Sequence, residues 1–242
     1  MSYPKTSKVR SKKKDKVEVQ FLAEKLELIL DREKCTGCCV CVRVCPKQAF
    51  VKATPEGPKT FFGKQVIYKR QYAYIPFIHD PNTCVFCGLC TYCCPFDALR
   101  LKKDGKIIPP EEIKLVELKA VPKLKYEEVN LKNGKKAKVY TKGTLSIDSS
   151  KCNTGCTNCS DICPTGAIKI TPDITREETS FEKNVKMEII QSKCIYCGAC
   201  HSICPTSALK LTIDEVHYSG EYNSPFWDDT VKKIKLQNNT SE

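Results

Sequence analysis

The chain has 242 residues, enough for one large domain or two small ones. Apolar residues make up 41% and charged residues 28%, which excludes a chain that is disordered throughout. The formal net charge is +12, no apolar run reaches the length of a membrane span and no signal peptide pattern opens the chain, so we expect a cytoplasmic protein.

The 18 cysteines are the most unusual feature of the composition. Disulfides form in oxidising compartments, and the chain carries no export pattern. Structural zinc is usually held by two C-x2-C pairs on either side of a longer loop, whereas these cysteines fall in tight groups of four. The cysteine content therefore favours iron–sulfur clusters over disulfides or zinc.

The chain opens with a basic segment at residues 1–16, which has seven basic residues and one acidic residue. We expect this tail to be solvated and flexible. Docking on an acidic partner is one alternative, and binding to nucleic acid or anionic lipid is another. The positive charge of the chain also offsets the negative charge of bound clusters, so it argues weakly for nucleic acid, and we predict no nucleic-acid partner.

Four copies of one cysteine pattern follow along the chain. In each copy three cysteines precede a fourth that is followed by proline, with the basic spacing C-x2-C-x2-C-x3-C-P. The copies are motif 1 (Cys35, Cys38, Cys41 and Cys45), motif 2 (Cys84, Cys87, Cys90 and Cys94), motif 3 (Cys152, Cys156, Cys159 and Cys163) and motif 4 (Cys194, Cys197, Cys200 and Cys204). Motif 3 has one extra residue after Cys152, and we expect its loop to bulge and still present this cysteine. Cys39 and Cys93 lie outside the pattern and are predicted to be small packing residues.

Apolar segments flank each motif. An alternating or β-branched run leads into each first cysteine, as in LELILDREKC before Cys35, and a second run follows each proline, as in TGAIKIT after Pro164. This order predicts a strand, a cysteine loop, a helical turn and a second strand in each copy. The predicted fold class is α+β, with two tandem modules of two motifs each and β-hairpin insertions.

The spacing is the ligand pattern of [4Fe-4S] clusters. Three cysteines two residues apart lie on one tight loop, whose successive N–H groups form an anion-binding nest. In two-cluster ferredoxins the fourth cysteine ligates the other cluster of the pair. All cysteines of the four motifs are therefore predicted metal ligands, and the predicted cofactors are four [4Fe-4S] clusters.

Two pairings of the motifs are open. The gaps between motifs 1 and 2 and between motifs 3 and 4 are shorter than the gap between motifs 2 and 3, which favours consecutive pairs. Consecutive pairing predicts site A (Cys35, Cys38, Cys41 and Cys94), site B (Cys84, Cys87, Cys90 and Cys45), site C (Cys152, Cys156, Cys159 and Cys204) and site D (Cys194, Cys197, Cys200 and Cys163). Nested pairing, of motif 1 with 4 and motif 2 with 3, uses the same ligands in other sets.

The remaining segments set the predicted domain boundaries. Module 1 is predicted over residues 17–108 and module 2 over residues 144–215, with a linker at 109–143 in which KNGK is a hairpin turn. The stretch FFGKQVIYKRQYAYI, residues 61–75, predicts a hairpin extension of module 1. Residues 216–242 form a polar tail with Trp227 in a loop-like context, and this tail either folds back over a module or anchors on another subunit.

No catalytic pattern accompanies the cysteines. The chain has no glycine-rich nucleotide motif, no phosphate-binding loop and only three histidines. Clusters that are held by four cysteines have no open iron position. We therefore predict one-electron transfer, with no catalytic site in this chain.

The four motifs resemble those of bacterial-type 2[4Fe-4S] ferredoxins, duplicated into a polyferredoxin. The stretches CVFCGLCTYCCPFDALRLKKDGK, VPKLKYEEV and CPTGAIKI are further similar to the polyferredoxin subunit of archaeal formylmethanofuran dehydrogenases, although that subunit carries more motifs. The resemblance implies a methanogenesis-related complex of anaerobes, with a tungsten- or molybdenum-pterin subunit and an electron donor or acceptor protein as partners. The alternatives are a free polyferredoxin that shuttles electrons, or the four-cluster subunit of another molybdopterin- or hydrogenase-type oxidoreductase.

Overall fold

A computed structural model describes residues 3–52, 75–152, 156–172 and 185–235. The strands are β1 (Lys5–Arg10), β2 (Lys14–Gln20), β3 (Lys25–Asp31), β4 (Phe50–Val51), β5 (Phe77–Ile78), β6 (Leu99–Lys103), β7 (Lys106–Ile108), β8 (Lys123–Leu124), β9 (Glu127–Asn130), β10 (Lys136–Val139), β11 (Thr141–Ile147), β12 (Ile168–Pro172), β13 (Val185–Ile189), β14 (Leu209–Val216) and β15 (Tyr218–Ser219). The helices are α1 (Val40–Val44), α2 (Leu89–Tyr92), α3 (Lys114–Glu117), α4 (Asn158–Ile162), α5 (Ala199–Ile203) and α6 (Phe226–Lys235), with short 3-10 turns at Pro81–Thr83, Pro110–Glu112, Ser149–Lys151 and Gln191–Lys193. Small antiparallel sheets and short helices confirm the predicted α+β class.

Module 1 is built from the strands that flank its two cysteine loops. β3 before motif 1 pairs antiparallel with β6 after motif 2, and β4 after motif 1 pairs with β5 before motif 2. Buried leucines lie opposite one another, Leu28 against Leu101 and Leu30 against Leu99. The alternating apolar pattern of these strands therefore places one face of the sheet on the core.

Module 2 repeats this arrangement. β11 pairs with β14 and β12 pairs with β13, again antiparallel. Leu145 lies opposite Leu211 in the separate core of this module. Among the described strands, pairing thus joins motif 1 to motif 2 and motif 3 to motif 4, as the consecutive arrangement requires.

Residues 5–10 and 14–16 of the basic segment lie in strands, which corrects the expectation of a flexible tail at residues 1–16. β1 pairs with β2, and β2 joins β3, so the sheet of module 1 has the order β1–β2–β3–β6–β7. Lys16 and Lys25 form ion pairs with Glu18 at 2.7 and 3.1 Å, which lowers the pKa of Glu18 to about 2. Buried Arg32 contacts Asp15 of β2 at 3.1 Å. Ion pairs between β2 and the residues of and after β3 thus stabilise this part of the sheet, where the sequence has few apolar residues to indicate strands.

The linker contacts both modules through its hairpin. β9 and β10 pair around the KNGK turn, which confirms the predicted hairpin. The N–H of Lys138 donates to the carbonyl of Pro95 in module 1 at 2.8 Å, and the N–H of Lys132 donates to the carbonyl of Pro164 in module 2 at 2.9 Å. These two bonds hold one module against the other.

The tail after module 2 folds back over module 1, which is one of the two interpretations of this segment. β15 pairs with β8 of the linker, and α6 packs against α1. Trp227 lies in the first turn of α6 and is completely buried, with its ring 5.5 Å from that of Tyr218, so the expected loop-like context was wrong. Trp227, Val231 and Ile234 are four and three residues apart, so these apolar side chains lie on one face of the helix.

The predicted hairpin extension of module 1 at residues 61–75 lies outside the described residues, apart from Ile75. This isoleucine is completely buried and belongs to the core of module 1. The described end of the segment is therefore anchored in the core.

We expect Trp227→Ala to destabilise the chain by about 3 kcal/mol, because the truncation leaves a cavity under α6. The measurement is the denaturant midpoint, followed by circular dichroism. Leu118→Ala serves as the control, because Leu118 is 65% exposed and its truncation should leave the midpoint unchanged. Equal midpoints for Trp227→Ala and the unmodified chain would show that α6 contributes nothing to the fold.

Candidate metal centres

The structure brings together each predicted set of four cysteines, and none of these cysteines forms a disulfide in the described residues. Burial raises the pKa of Cys35 well above its usual value, and the nearby thiols Cys38 and Cys94 add to the rise. Site A thus combines motif 1 with the last cysteine of motif 2. At the other sites, too, burial is the main cause of the raised pKa values, and the last cysteine of the partner motif adds to them. Cys45 acts on Cys84, Cys87 and Cys90 at site B, Cys204 acts on Cys152 and Cys159 at site C, and Cys163 acts on Cys194, Cys197 and Cys200 at site D.

Burial keeps most of these thiols neutral unless a cation binds. It raises the pKa of Cys84 and of Cys159 to about 11, and that of Cys90 well above its usual range. At Cys204 burial is outweighed by hydrogen bonds from Thr206 and from backbone N–H groups, and its pKa is lowered. Because thiolate is the form that binds iron, positive charge is needed to deprotonate the deeper cysteines, and iron supplies it.

One backbone hydrogen bond recurs in all four motifs. The N–H group four residues after the last cysteine donates to that cysteine's sulfur: Ala49 to Cys45 at 3.3 Å, Ala98 to Cys94 at 3.4 Å, Ala167 to Cys163 at 3.2 Å and Ala208 to Cys204 at 3.2 Å. The residue is a buried alanine each time, whose small side chain allows this close approach. Such donors favour the charged form of the sulfur.

Left-handed backbone positions recur in the cysteine loops. In motifs 1, 2 and 4 the residues just before and just after the second cysteine have positive φ: Gly37 and Cys39, Phe86 and Gly88, Tyr196 and Gly198. Alternation of left- and right-handed conformations turns successive N–H groups to one side and forms a concave anion site. The negatively charged sulfides of a [4Fe-4S] cluster fit such a site.

Motif 3 departs from this backbone pattern. Thr157, which follows the second cysteine, has a φ of −109°, unlike its counterparts in the other motifs. The bulge that we expected at residues 153–155 lies outside the described residues. Cys152 is nevertheless placed near Cys156 and Cys204, so the longer loop keeps this cysteine at site C.

The donor sets fit a cluster better than a single metal ion. In the described part of the chain, no three His, Cys, Asp or Glu side chains converge on a point where one ion would be held. A zinc ion needs its thiolates around one centre at about 2.3 Å. In a [4Fe-4S] cluster each thiolate binds a different iron, so the four sulfurs stand farther apart. Four spaced cysteines therefore suit the predicted clusters.

The four sites lie in the order B–A–D–C. A thiol of one site contributes to the raised pKa of a thiol in the next site in three cases: Cys90 of site B acts on Cys41 of site A, Cys197 of site D acts on Cys38 of site A, and Cys159 of site C acts on Cys200 of site D. Packing agrees with this order, because Ile195 and Cys197 of motif 4 contact the core of module 1. Sites A and D thus adjoin across the junction of the modules.

Several side chains at this junction were missed in the sequence. The buried hydroxyl of Tyr140 donates to the carbonyl of Cys93 at 2.6 Å, and Arg43 donates through Nη1 to the carbonyl of Cys38 at 3.3 Å. Burial raises the pKa of Cys39, and the nearby Ser202 of motif 4 partly offsets this rise. The one signal for Arg43 is that motif 1 alone has an arginine between its third and fourth cysteines. The burial of Cys39 and Cys93 fits their predicted packing role.

None of the helices in the described ranges has the length and apolar character needed to span a lipid bilayer.

Comparisons with known proteins agree on one kind of module. The family model of the 4Fe-4S dicluster domain matches residues 34–98 and 151–208, so each match covers two consecutive motifs. An uncharacterized ferredoxin of Methanocaldococcus jannaschii is 35% identical over 77 residues, which are 32% of this chain and 79% of that ferredoxin. A chain in the formate dehydrogenase–heterodisulfide reductase–formylmethanofuran dehydrogenase complex of Methanospirillum hungatei shares the fold, with a TM-score of 0.73 and 21% identity over 97% of this chain and 92% of that one.

We expect about sixteen irons per chain after anaerobic preparation, which corresponds to four [4Fe-4S] clusters. Cys38→Ser should lose about four of them, because one ligand of site A is removed. Cys39→Ser is the matched control from the adjacent position and should keep them all. Iron analysis checks both variants. Equal iron loss in the two variants would contradict the assignment of site A, and about twelve irons in the unmodified chain would mean that the irregular site C is empty or incomplete.

Proposed function

We propose that this chain, which belongs to the 4Fe-4S dicluster domain family, relays low-potential electrons through four clusters as a fixed subunit of a larger redox enzyme. Ferredoxin-type electron transfer follows from the family. The number of clusters, their ligands and the host enzyme belong to the proposal. The observation that carries it is the continuous order of sites B–A–D–C, in which each site adjoins the next.

The ligands of each proposed cluster are the four cysteines of sites A, B, C and D. When bound, each cluster supplies a one-electron redox centre. The chain's own residues bury part of each ligand set and donate backbone N–H groups to the last sulfur of each motif. These donors stabilise negative charge and so raise the reduction potential.

The two end sites are the more accessible ones. Partly exposed cysteines are Cys45, Cys84 and Cys87 at site B, Cys152, Cys156 and Cys204 at site C, Cys194 and Cys197 at site D, and Cys35 at site A. Val85, between two cysteines of site B, is 54% exposed. Electrons would therefore enter and leave through sites B and C, while sites A and D connect them internally.

A fixed subunit is favoured over a free carrier by the way the two modules are held. The linker hairpin bonds to both of them, and α6 returns from module 2 to pack on module 1. A carrier that meets its partners one at a time needs only one module. The likeness to a chain of the Methanospirillum hungatei complex extends over nearly the whole chain, which supports a host of that kind.

The proposed host resembles formylmethanofuran dehydrogenase and has a tungsten- or molybdenum-pterin catalytic subunit. In this proposal the chain has no catalytic site of its own, because its conspicuous side-chain sets are four complete groups of cysteine ligands. An electron donor or acceptor protein is the second partner. It docks at the end of the cluster chain that the catalytic subunit leaves free.

Anaerobic purification of the affinity-tagged chain from its native source tests this proposal. We expect it to co-elute with larger subunits in a fraction that contains tungsten or molybdenum. Elution as an isolated chain, loaded with iron and reduced by several unrelated enzymes, would instead make it a free polyferredoxin. Metal analysis of the same fraction distinguishes the two results.

A further inference from the structure

Arg43 occupies the point where the two modules meet. It lies on α1, between the third and fourth cysteines of motif 1. Its Nη1 donates to the carbonyl of Cys38, which is the site A cysteine that adjoins Cys197 of site D. The guanidinium is therefore placed beside the step from one module to the other.

The charge of Arg43 is largely enclosed and uncompensated. Its Nε and Nη2 atoms are buried and have no hydrogen-bond partner within the described ranges. No carboxylate of the described residues forms an ion pair with it, although ion pairs are common on the nearby sheet. Burial raises the pKa of Cys39 and of Tyr140, and the positive charge of Arg43 partly opposes this rise at both residues.

An unpaired buried cation is costly unless a negative group lies close by. The thiolates of site A with their bound cluster would be such a group, and this cluster gains a further negative charge when it is reduced. A nearby guanidinium cannot lose its proton, so it favours the reduced form at any physiological pH. Arg43 also lies in the last turn of α1, where the helix dipole favours a positive charge. This stabilisation is smaller than the attraction to a reduced cluster, because α1 has a single turn.

We propose that Arg43 raises the reduction potential of the cluster at site A and so sets the electron step between the modules. This inference rests on the proposed function, because it requires a cluster at site A. Arg43 is proposed as a positioning charge and not as a ligand, because its observed contact is with the backbone carbonyl of Cys38. Its effect should be largest at site A, because its hydrogen bond is to a residue of that site. Site B, whose Cys45 is also two residues from Arg43, should shift less, and site C, at the far end of the order, should shift least.

Redox titration of the whole chain, followed by electron paramagnetic resonance, tests the inference. Arg43→Gln removes the charge and should shift one cluster to a more negative potential while the other potentials change less. Arg43→Lys keeps the charge and should restore most of that shift. Lys47→Gln is the matched control, because Lys47 is a fully exposed cation four residues away and its charge is screened by water.

The shifted signal is assigned with Cys38→Ser, in which the component from site A should be missing. If Arg43→Gln keeps its iron and all potentials equal those of the unmodified chain, the inference is overturned and the relay stands. An equal shift of every cluster, or a shift of the same size in Lys47→Gln, also overturns it. If Arg43→Gln loses iron, a second neutral variant, Arg43→Met, takes its place: a retained cluster with a more negative potential supports the inference, and an unchanged potential rejects it. An unmodified chain that binds no clusters would reject the proposed function itself.

Discussion

The rest of the structure depends on the sharing of cysteines between paired motifs. The last cysteine of each motif lies with the first three of its partner, so neither motif of a pair forms a complete site alone. This requirement brings the strand before the first motif against the strand after the second, as β3 with β6 and β11 with β14. The paired leucines of these strands then form the cores on which the cysteine loops rest. In the proposed sites, folding of each module would therefore be coupled to cluster binding.

Charge is the second determinant of the structure. Burial raises the pKa of the thiols, whereas backbone N–H groups and left-handed positions in the loops favour negative charge there. In the proposed sites iron would supply the remaining positive charge. At the surface, lysines and glutamates pair across β2 and β3, so much of the positive charge near the start of the chain serves the sheet. A basic composition therefore did not need a nucleic-acid partner as its explanation. Near the junction, Arg43 differs from these lysines, because its Nε and Nη2 atoms are buried without a hydrogen-bond partner in the described residues.

The cysteine spacing and the flanking apolar runs, which repeat along the chain, were sufficient to predict the α+β class and the two modules. The KNGK turn predicted the linker hairpin. Each of these features depends on a local pattern. The strand at Lys5–Arg10 was missed because its residues are mainly polar and are held by a neighbouring strand. The helix around Trp227 was missed because one short amphipathic face is a weak signal until α1 supplies its partner. The place of Arg43 could not be predicted, since contacts between sites A and D join residues that are far apart in the sequence.

The order of the four sites is the central claim, and it is most directly tested by anomalous diffraction at the iron edge from crystals grown without oxygen. The account predicts four iron peaks in the order B–A–D–C, each enclosed by three cysteines of one motif and the last cysteine of its consecutive partner. Peaks enclosed by cysteines of motifs 1 and 4, or of motifs 2 and 3, would contradict it. So would an arrangement in which sites A and D are not neighbours.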